Sequence, residues 1–502
     1  MAQETLLGID VGSSFIKGAW MDAETGEVLA RASHPEREEM PIDTPEPGWA
    51  EQDPDRWWNG VVRVVQTLIA TEGVSPQQLK GIGIAYQMHG LVAVDKRGRP
   101  VRPAIIWCDS RAVDIGREAL QELGEDYCLK ELLNSPGNFT ASKLRWVREN
   151  EPDRFREIDR VFLPGDYLAW RMTGKAGTTR SGLSEATLWN AKEEKLAQRL
   201  LTHYGIPERM IPPATGSFET PGGLTREAAG KLGLPAGVPV SYRAGDQPNN
   251  ALALGAMDPG EVAATAGTSG VLYGITDQPL YDRRSRVNTF VHVNHEPEQP
   301  RYGVLLCING AGSLYAWLRR QMGWSRPVSY DSMNQMAATV APGSDGLVVL
   351  PFGNGSERVL ENARPGGQVL GLDFQRHSPA HTIRAAQEGV AFAMVYGCRI
   401  MQQMGLEITT VRAAHANLFL SPVFRESFRH AAGVELEIVD TDGAVGAARG
   451  AAVGVGLWTL ADLTTRGLPM VSLPESETDP KAIRRAYSHW EATLRQKIHS
   501  EV

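Results

Sequence analysis

Two carboxylates and two turns of small residues carry most of the chemistry this sequence offers. Asp10 opens the turn Asp10-Val-Gly-Ser-Ser14 between two short apolar runs. Gly12, Ser13 and Ser14 let a ligand approach the main chain, so successive N–H groups and hydroxyls can be aimed at a phosphate. A plain hairpin turn has the same composition. A second turn of the same grammar, Gly267-Thr-Ser-Gly270, lies half a chain length further on. Two such turns across a cleft would grip a triphosphate, and Asp10 beside them would hold Mg2+, the normal use of a carboxylate next to phosphates. Asp246, in Ala244-Gly-Asp-Gln247, follows an apolar run and precedes a helix started by Pro248. On local pattern alone that position reads first as a helix N-cap. Gln87-Met88-His89-Gly90 ends a core strand, where α/β proteins gather ligand-binding side chains. Trp107-Cys-Asp109-Ser-Arg111 ends another with an aromatic face, an acceptor and a donor, a mixture suited to a polyhydroxylated ligand. His292 and His295 do not extend this to a metal centre, because that spacing on a strand points them to opposite faces and no third ligand is near.

These side chains need a scaffold, and the apolar spacing supplies one. Runs at 6–9, 15–20 and 27–30 predict a strand meander. A helix with Pro54 at its first position carries Trp57, Val61, Val64, Val65 and Leu68 on one face. A strand at 81–86 alternates with helices at 111–123 and 140–150, which predicts a layered α/β fold. The rhythm restarts near 238: a strand at 238–242, the turn 244–247, a helix from Pro248, and a strand-turn-strand over 261–274. Two domains of similar plan would explain the two hairpins, although two short hairpins could also coincide. The second half continues with a helix after Gly310, a strand at 347–350, a loop over 352–367 and a helix over 382–404. Strands at 409–413 and 434–439 flank a helix near Pro422. Residues 443–456 predict a helix whose small side chains permit close packing; its glycines resemble a dinucleotide fingerprint only superficially. A last helix over 479–500 presents Ile483, Tyr487, Trp490, Leu494 and Ile498 as a docking stripe.

Composition narrows the classes. A chain of 502 residues exceeds one ordinary core, and 42% hydrophobic with 22% charged residues is a globular balance. A net charge of -8 leaves no footprint for nucleic acid or an anionic membrane surface. Cys108, Cys128, Cys307 and Cys398 form no CxxC pair, so neither a disulfide framework nor a zinc knuckle is suggested and a reducing cytoplasm is expected. The start lacks a basic and apolar leader, and no apolar run approaches the roughly 20 residues of a membrane span.

Assembled in order, the motifs resemble the FGGY carbohydrate kinases of the actin-like ATPase superfamily, and among them the xylulokinases. The residues that carry the likeness are Gly8-Ile-Asp-Val-Gly-Ser-Ser14, Gly48-Trp-Ala-Glu-Gln-Asp-Pro54 with Trp57-Trp58, Gln87-Met-His-Gly90 and Arg102-Pro-Ala-Ile-Ile-Trp-Cys-Asp-Ser-Arg111. Asp166-Tyr-Leu168 with Thr173-Gly174, Gly245-Asp246 and Gly267-Thr-Ser-Gly270 complete the set. The resemblance implies an α/β fold of two ribonuclease-H-like domains with ATP and sugar in the cleft between them. It divides the chain into an N-terminal domain over 1–250 on the sugar side, a C-terminal domain over 251–465 on the nucleotide side and a helical tail over 466–502. It implies Asp246 as catalytic base and Asp10 as the acid that supports Mg2+ and activity, both candidate metal ligands. Gln87, Met88, His89, Trp107, Asp109, Asp246 and Gln247 are then the candidate sugar contacts. Gly12, Ser13, Ser14, Lys17, Gly267, Thr268, Ser269, Gly310, Ala416 and Asn417 are the candidate nucleotide contacts.

Two departures stand out. Gln247 replaces an Asn common after the catalytic aspartate, and Ala413-Ala-His-Ala-Asn-Leu-Phe-Leu-Ser421 replaces a Gly-Gly-Gly-x-x-Ser loop. The implied reaction is phosphorylation of the terminal hydroxyl of a ketopentose, D-xylulose first, by Mg-ATP. Alternatives are another acceptor (ribulose, gluconate, a deoxy-ketose), a nucleotide-gated non-kinase protein and a sugar-binding protein without kinase activity. The implied partners are sugar and ATP, with no nucleic acid and no membrane, and a homodimer is compatible with the resemblance.

Overall fold

The computed structural model describes residues 3–322, 328–466, 468–474 and 478–499. The strands of the two main sheets and the helices used below are numbered in chain order. Strands β1 (Thr5–Val11) and β2 (Ile16–Asp22) pair antiparallel, with Asp10 opposite Lys17. The Gly12 N–H donates to the Phe15 carbonyl and closes a tight tip at Ser13 and Ser14. Strand β3 (Val28–His34) extends the meander, while β4 (Leu79–Tyr86) and β5 (Val240–Gly245) join in parallel, giving the order β5-β4-β1-β2-β3.

The second sheet contains β6 (Glu261–Ala266), β7 (Gly270–Thr276), β8 (Asn288–Val291), β9 (Tyr302–Ile308), β10 (Thr410–Ala414) and β11 (Glu435–Val439). Its order is β8-β9-β7-β6-β10-β11. Each sheet is a hairpin with an antiparallel strand on one flank and two parallel strands on the other; β8 is an added edge. The likeness of the two hairpins is therefore a repeat of topology, and the fold is the expected two-sheet α/β architecture.

Helix α1 (Pro54–Ile69) has Pro54 at its first position and the Asp53 side chain capping the Asp55 N–H. It buries Trp57, Val61, Val64, Val65 and Leu68, the stripe the sequence spacing predicts. Helix α2 (Thr140–Asn150) packs behind the turn that follows β4. Helices α3 (Asp246–Ala253), α4 (Ala311–Met322) and α5 (Pro379–Gln403) follow. Helix α6 (Gly443–Gly454) comes after the last strand of the second sheet yet lies on the first. A Cβ on Gly8 would sit 1.8 Å from the Ala444 carbonyl oxygen, and one on Gly83 1.9 Å from that of Ala447. Strand and helix backbones thus touch, as the small side chains of 443–456 predict. Helix α7 (Pro480–His499) buries Ile483, Tyr487, Trp490 and Leu494 and partly buries Ile498, and the Trp490 indole N–H donates to the Val349 carbonyl. Ser500, in the predicted last helix, lies outside the described residues.

Several local expectations are corrected. Ala244-Gly-Asp-Gln247 forms no turn: β5 runs through Gly245 and Asp246 is already the first residue of α3, with Gly245 at the cap. The strand before Trp107 is only Ala104–Ile105 and ends short of it. The loop over 352–367 contains a 3-10 turn, Arg358–Leu360. His292 and His295 follow β8 instead of lying on it; the first pairs with the Tyr273 hydroxyl and the second with Glu194. Among the described residues no helix is long and apolar enough to cross a membrane.

Candidate active site

At the junction of β5 and α3 the chain turns from strand to helix without an intervening loop, and this sets the Asp246 carboxyl. Gly245 has no room for a side chain, since a Cβ there would lie 2.6 Å from Met88 Cγ and 2.7 Å from Glu185 Oε2. Asp246 is half-buried, and burial with the nearby Asp10 charge pushes its carboxyl up to about 7, against hydrogen bonds from Gln247 that pull it down. Asp10 is pushed up to about 6 by burial, with Lys17 opposing and Asp442 adding to the rise. Helix α6 keeps Asp10 in place: a Cβ on Gly443 would lie 2.4 Å from Asp10 Oδ2. The Asp442 side chain caps that helix at the Val445 N–H and pairs with Arg31.

Two half-buried carboxyls, one of which raises the other, are a fitting place for a divalent cation. Among the described residues there is no group of three or more ligating side chains, so other ligands would have to come from phosphate and water, the usual pattern for Mg2+. The linkage has a definite sign. Both folded-state pKa values lie above the ordinary 3.8, so the stability contributed by the protonated forms is full below about 3.8 and is lost as pH rises through about 6 and 7. A cation that binds the ionised pair offsets this loss. We expect Mg2+ to raise Tm by more at about pH 8 than at about pH 5.5. Equal shifts in thermal melts at the two pH values would remove the pair as a cation site.

Between the strands that lead to Asp10 and Asp246, β4 ends in a further group of polar side chains. Gln87 is buried, its amide donating to Gln52 Oε1 at 3.3 Å. Met88 is buried against Phe139 and Phe290. His89 adopts φ 61°, a left-handed backbone uncommon for a side chain of its size. Its Nδ1 lies 2.9 Å from the Glu185 carbonyl oxygen, which only an N–H can satisfy, so Nε2 is left as an acceptor. Burial and the Lys143 charge push its pKa down to about 3, which keeps the ring neutral. Phe139 meets the ring edge-on at 4.7 Å and Phe290 lies at 5.5 Å.

Lys143 on α2 is buried, and its Nζ donates to the His89 carbonyl at 2.8 Å and the Ile106 carbonyl at 2.9 Å. It thereby ties the His89 turn to the Trp107 turn. Trp107 is half-exposed and its indole N–H donates to Ser13 Oγ at 3.3 Å, above the first hairpin. Glu185 is buried, and burial with Asp246 and Asp166 holds it well above the usual carboxylate range.

Asp109 departs from its expected role as a sugar acceptor. Its carboxylate is enclosed, accepts from the Ala50 N–H and forks onto Arg111, which stacks 3.9 Å above Trp49 and also pairs with Glu51. The acceptor and donor read as facing a ligand satisfy each other and brace the turn that carries Trp107.

On the second sheet, Gly267, Thr268 and Ser269 form the tip between β6 and β7. The start of α4 packs onto it: the Gly312 N–H donates to the Gly267 carbonyl and the Ser313 N–H to that of Thr268. A Cβ on Gly310 would lie 1.5 Å from the Pro351 carbonyl oxygen. Gly310 also lines a pocket of about 390 Å3 with Ser313, Leu314, Trp317 and Asn354. In the unusual loop, Ala416 is extended, Asn417 is left-handed and exposed, and the Asn417 amide abuts Gly267. The Asn417 amide therefore reaches the hairpin where the glycine loop is missing.

Sequence reasoning misses Phe139, Lys143, Glu185, Phe290 and Arg358. A lysine at an apolar helical position, 143, was the one available signal.

Comparison with known proteins follows the same outline. The N-terminal domain model of the FGGY family of carbohydrate kinases matches residues 5–253, and its C-terminal domain model matches 262–455. A xylulose kinase of Escherichia coli K12 is 31% identical over 89% of this chain and 88% of its own length. An L-xylulose/3-keto-L-gulonate kinase of the same organism is 31% identical over 99% and 98%. The crystal structure of xylulose kinase from Rhodospirillum rubrum superposes with TM-score 0.86 at 27% identity over 99% of this chain and 100% of that one. A gluconate kinase from Lactobacillus acidophilus, at 20% identity and TM-score 0.87, covers 99% of both chains and shares the fold.

Proposed function

The chain belongs to the FGGY family of carbohydrate kinases, a phosphotransferase acting on a sugar alcohol group, and from that premise we propose that it transfers the γ-phosphoryl group of ATP to the terminal hydroxyl of a ketopentose, with D-xylulose placed first. The observation that carries this reading is the Asp246 carboxyl, half-buried beside Asp10 and raised to about 7, with neutral His89 on the adjoining strand end.

Each wall of the cleft has a separable task in this reading. Phosphoryl transfer is loose, so alignment and charge stabilisation dominate over covalent chemistry. Gly12, Ser13 and Ser14 face the phosphates from one hairpin, and Gly267, Thr268 and Ser269 from the other. Lys17, opposite Asp10, adds a positive charge at the first. Gly310, Ala416 and Asn417 border the nucleotide. Asp10 and Asp246 would hold Mg2+, which would supply neutralising charge at the phosphates. Asp246 orients the sugar hydroxyl and accepts its proton once the O–P bond has largely formed. His89 Nε2 accepts from another hydroxyl, Gln87 and Gln247 bring amides to the same side, and Met88 and Trp107 supply apolar faces to the carbon chain. The departure at Gln247 and the L-xylulose/3-keto-L-gulonate relative give a second acceptor class, the keto sugar acids, a specific claim on the same site.

Coupled ADP release with Mg-ATP against ketopentoses, aldoses, gluconate and glycerol, with a no-sugar control, tests the reading. A strong response to D-xylulose above the control is expected. ADP release that ignores the sugar would refute it.

A further inference from the structure

Beyond the residues that handle the reacting hydroxyl, the second domain contributes a cation to the sugar wall. Asn288 and Phe290 are two apart on β8, so their side chains share one face of the strand. Phe290 packs on His89 and Phe139, which places that face on the sugar pocket. Arg358 donates to Asn288 Oδ1, and the Asn288 amide donates in turn to Asn134 Oδ1 at 3.0 Å. Arg358 is half-buried, and its charge reaches the His89 ring.

The loop that carries it is fixed. Glu357 is buried and both its carboxyl oxygens accept from the Asn309 N–H, while the Asn354 amide donates to the Asn309 carbonyl and Ser313 Oγ. Among the described residues Arg358 itself has no carboxylate partner, and Asn288 is the only hydrogen-bond acceptor its guanidinium meets. A guanidinium has five N–H donors and is rarely withdrawn from water unless paired. The other guanidinium nitrogens of Arg358 are not enclosed, so they are available to a ligand entering beside Asn288.

We propose that Arg358 binds an electron-rich oxygen of the sugar other than the hydroxyl that is phosphorylated, either a ketone carbonyl or a carboxylate, and so selects keto sugars or sugar acids over plain alditols. The inference rests on the sugar-kinase reading. The hydroxyl that reacts must surrender its proton to an acceptor, which Asp246 is and a guanidinium is not, so the two residues engage different oxygens. A hydrogen bond to a charged donor is worth about 10- to 100-fold in affinity.

The test compares a ketopentose, the matching pentitol and an aldonate in the wild type, Arg358→Met and Arg358→Lys. The ketose should exceed its pentitol in kcat/KM by about tenfold or more in the wild type. In Arg358→Met the ketose KM should rise about 10- to 100-fold, with the pentitol and the ATP KM nearly unmoved, and Arg358→Lys should recover part of the loss. A larger loss for the aldonate assigns the bond to a carboxylate; a larger loss for the ketose assigns it to the carbonyl. An unchanged ketose-to-pentitol ratio, or a shift confined to the ATP KM, overturns the inference. Should Arg358→Met fail to fold, calorimetric titration of the wild type without ATP decides, because equal affinity for ketose and pentitol also overturns it. A wild type that phosphorylates no acceptor defeats the kinase reading, and this inference with it, before any variant is compared.

Discussion

Asp246→Ala is expected to keep its fold and its nucleotide affinity while losing about 10^2- to 10^4-fold in kcat, the range for removal of a positioned general base. Three features of the site make the loss fall on turnover. Asp246 is the first residue of α3, with Gly245 at the cap position, and its carboxyl takes only local hydrogen bonds, from Gln247 and its own N–H. The hairpin between β6 and β7, proposed to hold the nucleotide, rests on α4 and Asn417 and gains no hydrogen bond from Asp246. The carboxyl is held up to about 7 by burial and Asp10, so truncation also relieves a repulsion and should raise thermal stability slightly in the absence of ligand. A more stable, nucleotide-binding and nearly inactive protein is an unusual combination for a point variant. The sugar KM should change far less than kcat, and the rise of kcat/KM with pH around 7 should vanish. Kinetics at saturating Mg-ATP together with a thermal melt check all of this. Turnover within tenfold of wild type would take the proton-accepting role away from Asp246.

How much of this was legible in the sequence depends on the range of the interactions involved. The hairpin tips, the α1 stripe and the small-residue face of α6 could be read because their signals lie within one strand or helix. Asp246 and Asp10 were legible as carboxylates at strand ends, but not as a pair. The effect of Asp10 on Asp246 arises only when β1 and β5 enter one sheet on either side of β4. The same limit hid Arg358 and Phe290, whose partners lie on other strands and loops, and Glu185, whose carbonyl orients the His89 ring from 96 residues away. Asp109 was misread for a different reason. Adjacent donor and acceptor residues look identical in sequence whether they face a ligand or each other, and only burial distinguishes the two. The catalytic geometry is therefore a property of the assembled sheets, which makes the packing between them as consequential as any polar residue.

That dependence gives the second large effect, Gly83→Ala. The added Cβ would sit 1.9 Å from the Ala447 carbonyl oxygen and 2.6 Å from its carbon, on a backbone that cannot swing aside like a side chain. Relief requires α6 to lift from β4 by more than an ångström, opening the contact that Gly8 makes with Ala444 one strand over. Overpacking of a close core contact typically costs about 1–3 kcal/mol and more where backbone must move, so we expect a loss of at least about 3 kcal/mol. The damage should also reach the chemistry, because α6 begins at Gly443 against the Asp10 carboxylate. Activity in whatever fraction stays folded should fall with stability. Gly230→Ala supplies the opposite sign: it lies within the helix Arg226–Leu232 with nothing inside 4 Å of an added Cβ. Removing a helical glycine there should stabilise by about 0.5–1 kcal/mol. Denaturant unfolding of the two variants beside the wild type reads both effects in one experiment. A Gly83→Ala protein within about 1 kcal/mol of wild type would mean that α6 can shift without cost, and the backbone contact would then not be what holds Asp10 at the cleft.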